Sequence, residues 1–100
     1  MVTACQDRGD ITACRSAIEW ELIAAEGVQR DIASLTVPAD LQAASKELTI
    51  ALDLAVRGAQ KELAGIATDD AGLIVEGVLL TRQSTAHMKR AATLSQEANV

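Results

Sequence analysis

The sequence predicts an all-α protein, an up-down-up bundle of three helices. The apolar residues, 49% of the chain, are almost all aliphatic, and Trp20 is the single aromatic residue. Alanine and leucine favour helices, whereas strands are enriched in aromatic residues. Apolar residues also recur at the ~100° spacing of an amphipathic helix over three long segments. The connections between these segments are short, which makes neighbouring helices antiparallel.

The first helix is predicted over residues 10–35, after an N-terminal segment of residues 1–9. Asp10 is a suitable N-cap, and Pro38 prevents the helix from continuing. Residues 10–100 form a single domain, because no linker or repeat divides them. The apolar stripe expected to face the core consists of Ile11, Cys14, Ile18, Leu22, Ala25, Ile32 and Leu35.

The second helix is predicted over residues 38–67, with Pro38 in its first turn. Gly65 and the pair Asp69-Asp70 mark its end. The third helix is predicted over residues 70–96, and its first half is apolar almost all round. The core stripe of the second helix is Leu41, Ala44, Leu48, Leu52, Ala55, Ala59, Leu63 and Ile66.

Small residues inside the helices leave two questions open. Gly27, Gly58 and Gly77 each cost about 1 kcal/mol relative to alanine, and either close helix approach or helix bending would account for them. In the third helix, hydroxyl residues stand where a core would contain leucine. They either line a polar cavity or bond back to carbonyls of their own helix; they are Thr81, Ser84 and Thr85.

The first helix carries a second apolar face. Trp20 lies ~200° around the helix from Ile18, near Ile23 and Gly27. A helix with two apolar faces usually has neighbours on both. We therefore predict an interface here, with a homodimer as the favoured partner. Isolated exposed apolar residues are the alternative. Lesser interface candidates on the second helix are Ile50 and Leu54.

Charge and length exclude several classes of partner. The net charge is −5 and the few basic residues are scattered, which disfavours binding to nucleic acid or to an anionic membrane surface. No run approaches the ~20 apolar residues of a transmembrane helix.

Catalytic, cofactor and metal sites are not predicted. His87 is the only histidine, and no carboxylate stands one turn from it on its own helix, as the metal sites of helical bundles require. Glu62 leans towards the core stripe and is expected to pair with Arg82. The alternative to a non-catalytic interaction protein is a small-ligand or metal binder centred on the third helix.

The stretch CQDRGDITAC holds both cysteines, Cys5 and Cys14. In one continuous helix they would lie ~13.5 Å apart along the axis, whereas a disulfide needs Cα atoms within about 7 Å. A Cys5–Cys14 disulfide therefore requires a turn, and Gly9-Asp10 is where it would fall. Because Asp10 would then cap a helix, an Arg-Gly-Asp adhesion loop is disfavoured. The residues before Cys5, Val2-Thr3-Ala4, resemble a lipoprotein cleavage box with Cys5 as the lipid anchor.

The stretch VPADLQAASKELTIALDLAVRGAQKELAGIATDDAGLIVEGVLLTRQSTAHMKRA is similar to small exported bacterial helical-bundle proteins of unknown function. The similarity covers residues 38–92: a proline before a long Ala/Leu-rich helix, an Asp-containing turn and a final Ala-rich helix. Many such proteins have a histidine one turn after the proline, where this chain has Ala44-Ser45. The resemblance implies an exported or envelope-associated bacterial protein; the other expectation is a cytoplasmic one.

Overall fold

The computed structural model describes residues 11–98 and is a three-helix bundle, as predicted. Helix α1 spans Ile11–Ala33, α2 spans Gln42–Thr68 and α3 spans Ala71–Ala98, and a 3₁₀ turn, Ala39–Leu41, precedes α2. The molecule measures 47 × 23 × 20 Å. Its radius of gyration of 15.2 Å exceeds the ~13 Å of a compact domain of this length. The bundle is therefore elongated.

The connection between α1 and α2 differs from the prediction. Helix α1 ends at Ala33, where the hydroxyl and the N–H of Ser34 both donate to the carbonyl oxygen of Asp31, at 2.8 and 3.3 Å. Pro38 does not begin a helix, because its ψ of 150° is extended. Its carbonyl oxygen instead accepts the N–H of Leu41 at 3.0 Å and closes the 3₁₀ turn. The second helical segment thus begins at Ala39 with this 3₁₀ turn and continues as α2 from Gln42, close to the predicted start at residue 38.

The connection between α2 and α3 is a tight turn formed by the predicted acidic pair. Asp69 adopts a left-handed conformation, with φ 53° and ψ 45°. The N–H of Asp70 returns to the carbonyl oxygen of Gly65 at 2.8 Å. The Asp70 carboxylate then accepts the N–H of Leu73 at 3.2 Å and so caps the start of α3.

Helices α2 and α3 pack closely through glycines. A Cβ atom built on Gly77 would lie 2.6 Å from the carbonyl oxygen of Gly58, and one built on Gly65 would lie 2.6 Å from Cγ1 of Ile74. Close approach therefore accounts for Gly58 and Gly77. It does not account for Gly27, where the nearest atom to an added Cβ is Nη2 of Arg30 at 3.8 Å.

Helix α1 packs less completely than the other two. Ile18, 3% exposed, is its one buried residue within the described range. The ends of the predicted stripe, Ile11 and Leu35, are 66% and 65% exposed. Across the described residues, no Cα atom of α1 comes within 8 Å of a Cα atom of α3. Helix α2 is therefore the centre of the bundle, and α1 and α3 flank it without meeting.

Candidate interaction surfaces

The outer face of α1, centred on Trp20, is exposed. The Trp20 side chain is 72% exposed and that of Ile23 is 58% exposed. Gly27 lies beside them on the same face and is partly covered. The structure thus brings together the three residues of α1 that the sequence analysis assigned to an interface.

The two candidates on α2 lie elsewhere. Leu48 lines a groove that α2 shares with α1, and Ile50 lies ~160° around the helix from it. Ile50 is 38% exposed, and Leu54, one turn further on, is partly covered. Ile50 and Leu54 therefore do not form one continuous surface with Trp20.

A groove runs between α1 and α3, with α2 as its floor, and it was not foreseen from the sequence. One end, of about 620 Å³, lies between the first half of α1 and the first half of α3. The other, of about 570 Å³, lies beside the connection between α1 and α2. Both ends are mainly apolar; the side chains include Ile18, Ile66, Ile74 and Val78 at the first, and Ile32, Leu35, Leu48 and Met88 at the second.

Glu62 is the most unusual charged group in the groove. Its carboxylate accepts a hydrogen bond from the Thr81 hydroxyl at 3.4 Å. Burial raises the pKa of Glu62 above its usual range, and the nearby charge of Glu21 raises it further, whereas the Thr81 hydrogen bond lowers it. The predicted partner, Arg82, also lines the groove but forms no ion pair with Glu62. The expectation of a Glu62–Arg82 pair is therefore wrong.

The hydroxyl residues of α3 are satisfied by helix carbonyls. Thr81 shares its one hydroxyl proton between the carbonyl oxygen of Gly77 at 3.0 Å and the Glu62 carboxylate at 3.4 Å, and Thr85 donates to the carbonyl oxygen of Thr81 at 3.2 Å. Back-bonding within the helix is confirmed for these two. Ser84 is different, because its hydroxyl crosses to α2 and donates to the carbonyl oxygen of Ala51 at 2.6 Å. Ser84 is 2% exposed, so it takes part in the helix packing and does not line a polar cavity.

His87 joins a charged cluster between α2 and α3. Its Nδ1 lies 2.5 Å from Oε2 of Glu47, and Nη1 of Arg90 lies 3.3 Å from Oε1 of the same carboxylate. The His87 hydrogen bond is the main cause of a lowered pKa of Glu47, and Arg90 lowers it further. The sequence analysis missed this contact because Glu47 comes from the neighbouring helix. The sequence analysis considered His87 only as a possible metal ligand.

No set of three or more His, Cys, Asp or Glu side chains capable of holding a metal occurs within residues 11–98. None of the helices described has the length and apolarity to cross a membrane. The predicted Cys5–Cys14 disulfide, the lipid anchor at Cys5 and the Asp10 cap each involve a residue outside the described range.

No family model, no curated protein and no solved structure matches the chain.

Proposed function

We propose that this chain is a non-catalytic helical-bundle protein that acts through its surface and associates with a second copy of itself. The observation that carries the proposal is the outer face of α1, where Trp20 is 72% exposed beside Ile23. A large aromatic ring in water loses the favourable free energy of burial, about 25 cal/mol per Å². Tryptophan is also the residue type most enriched at the energetic centres of interfaces.

The elongated shape leaves room for self-association. The accessible surface of 6778 Å² exceeds the about 5,400 Å² expected of a compact monomer of 10.5 kDa. A standard interface covers about 800 Å² of each partner, and the long side of the bundle can supply it.

The test is the mass of the protein in solution. Light scattering and sedimentation from micromolar to millimolar concentration should show a dimer for the wild-type chain. Trp20→Glu places a charge in the proposed contact and should weaken the dimer about 30-fold, the effect of losing ~2 kcal/mol. Leu79→Glu is the matched control, because Leu79 is 50% exposed on α3 and lines neither end of the groove.

Two outcomes would count against the proposal. A wild-type chain that stays monomeric at every concentration would refute self-association. A dimer unaffected by Trp20→Glu would remove Trp20 from the interface. Ile50→Glu and Leu54→Glu test the lesser candidates in the same experiment, and a loss of dimer with these variants alone would move the contact to α2.

A small-ligand binder is the second candidate function. The observation that favours it is the groove, whose ends of about 620 and 570 Å³ are within the ~300–1,000 Å³ of small-molecule sites. A thermal-shift screen on the purified chain, with metal analysis of the same sample, tests it. An unchanged unfolding temperature across the screen and a metal-free sample would reject this function.

We also propose export to the bacterial envelope, with Cys5 and Cys14 joined in a disulfide. The cysteine content permits one bridge in an oxidising compartment, and the resemblance over residues 38–92 implies export. Intact mass after alkylation, with and without reductant, reports the bridge: two alkylated thiols in the unreduced protein would exclude it. Cell fractionation separates envelope from cytoplasm, and a lipid at Cys5 would appear as added mass.

A further inference from the structure

The groove between α1 and α3 holds two opposite charges that do not meet. Glu21 on α1 and Arg82 on α3 line the same end. Neither forms an ion pair with another described residue. The physical reason is the gap itself, since the two helices flank α2 without approaching each other. The groove therefore has an acidic residue on one wall and a basic residue on the other, with apolar residues and the Glu62 carboxylate of α2 between them.

The two helices that form the walls of the groove, α1 and α3, run in the same chain direction. At one end Ile11 and Ile18 of α1 share the groove with Ile74 and Val78 of α3. At the other end the last turn of α1 shares it with residues 88–95. Helices α1 and α3 are thus parallel, and Glu21 and Arg82 both line the first end of the groove, in the C-terminal part of the stretch that each helix contributes there.

We propose that a second copy of this chain covers the groove, so that α1 of each copy lies along α3 of the other. This arrangement rests on the self-association proposed above and specifies its geometry. A two-fold axis parallel to the helices produces it, because that rotation exchanges the two walls and keeps the heights unchanged. Glu21 of each copy then faces Arg82 of the other. The contact forms two identical ion pairs on either side of a centre that holds apolar side chains and the Glu62 carboxyl group of each copy.

The other face-to-face arrangement is excluded by charge. A two-fold axis perpendicular to the helices would lay α1 against α1 and α3 against α3. Glu21 and Arg82 would then remain on separate helix pairs, and neither would gain a partner of opposite charge. Complementary charges favour one arrangement mainly by penalising the others.

Trp20 adjoins this contact without lining the groove. It precedes Glu21 in α1 and so lies ~100° further around the helix, towards the outer face. A second copy seated over the groove would cover the exposed groove residues, among them Leu35, Val78 and Met88, which are 65%, 37% and 41% exposed. The arrangement thus accounts for the open groove and the unpaired charges, with Trp20 at the edge of the contact.

Charge exchange between copies tests the arrangement. Glu21→Arg alone and Arg82→Glu alone each place two like-charged pairs in a homodimer, and each should weaken it by about tenfold or more. The double variant Glu21→Arg/Arg82→Glu restores both pairs and should dimerise like the wild type. An equimolar mixture of the two single variants should form a heterodimer, since both of its pairs are then opposite in charge.

The mixture is the decisive measurement, because an ion pair within one chain could not be restored by mixing. Glu97→Arg and Arg57→Glu make the same charge changes outside the groove and serve as controls. Glu97 is exposed near the end of α3, and the exposed Arg57 side chain pairs with Asp53 one turn away. Sedimentation gives the dissociation constants, and circular dichroism verifies that every variant folds.

The possible failures are distinguishable. A monomeric wild type overturns both self-association and this arrangement. A wild-type dimer that Trp20→Glu weakens, but that neither single charge exchange weakens, retains the proposed function and overturns the pairing of α1 with α3. A mixture that stays monomeric while each single variant is monomeric also overturns it.

Discussion

Gly58 and Gly77 face each other across the contact between α2 and α3, and each occupies the space that a side chain of the other would need. A Cβ atom on Gly77 would lie 2.6 Å from the carbonyl oxygen of Gly58, and a Cβ atom on Gly58 would lie 2.9 Å from that of Gly77. Real Cβ atoms do not approach backbone oxygens so closely. The spacing of these two helices therefore depends on the absence of a side chain at both positions.

Gly58→Ala and Gly77→Ala are each expected to destabilise the protein by about 1–3 kcal/mol, the usual cost of overpacking. The added methyl group must separate two backbones, which outweighs the about 1 kcal/mol of helix propensity gained. Urea unfolding measures the change. Gly27→Ala is the matched control and should be neutral or stabilising, because an added Cβ there makes only an ordinary contact, 3.8 Å from Nη2 of Arg30. Equal stability of Gly58→Ala and Gly27→Ala would contradict this account of the helix contact.

Ser84 is expected to contribute a hydrogen bond and a tight fit. Ser84→Ala removes the bond to the carbonyl oxygen of Ala51 and should cost about 1 kcal/mol. Ser84→Val adds volume at a position that is 2% exposed, and it should cost more, by a further ~1–3 kcal/mol. Urea unfolding of both variants, beside Ser95→Ala as a control at a half-buried position on the same helix, gives the comparison. A stabilising Ser84→Val would show that the site has free space.

Glu47 should stabilise the fold at neutral pH and lose that effect in acid. Its pKa is lowered by the His87 hydrogen bond first and by Arg90. A carboxyl whose folded pKa lies below its unfolded value stabilises above the unfolded value, and the contribution disappears as pH falls through the folded pKa. Glu47→Gln should therefore be less stable than the wild type at neutral pH, and the difference should shrink below pH 4.5, the ordinary pKa of the group. Unfolding midpoints measured across this range check the prediction, and a difference independent of pH would contradict it.

Glu62, unlike Glu47, should destabilise the fold at neutral pH. Burial, and then the charge of Glu21, raise its pKa, so the folded state favours the protonated carboxyl. Stability is then highest below the unfolded pKa and declines as pH rises through the folded pKa. Glu62→Gln removes the charge and keeps the shape, and it should raise the unfolding midpoint at neutral pH but not in acid. Glu97→Gln, at an exposed position, is the control. A Glu62→Gln variant that is destabilised at neutral pH would show that the carboxylate has a favourable partner.

The positions of the helices could be predicted from residues near each helix end. The boundary at Pro38 was harder to predict, because proline is suited both to the first turn of a helix and to the residue before it. The turn at Asp69 and Asp70 was predictable because both the end of α2 and the cap of α3 use the same short acidic stretch. Pro38 was assigned to the first turn of a helix because proline suits that position. Its extended ψ of 150° instead places it before the 3₁₀ turn. Proline fixes φ alone, so the sequence does not determine which of the two occurs.

The sequence predicts the relative positions of the proposed interface residues only in part. The period of the apolar residues showed that Trp20, Ile23 and Gly27 share one face of α1, since neighbours on a helix surface are set by the rotation per residue. The same reasoning could not relate that face to Ile50 and Leu54, because it contains no information on how two helices are placed side by side. The partners of the charged side chains could not be predicted for the same reason. The Glu62 carboxylate is hydrogen-bonded to Thr81 and not paired with Arg82, and His87 is hydrogen-bonded to Glu47.

The sequence by itself determined three helices, their amphipathic faces and the exposed tryptophan on α1, because these depend on the period of side chains along one chain. Only the tertiary structure decided that α2 lies at the centre, that Gly58 and Gly77 bring α3 against it, and that α1 stays apart from α3. These features depend on the distance and register between the helices. The volumes of the side chains at each contact set that distance and register. The groove with Glu21 and Arg82 on its opposite walls is a consequence of that spacing.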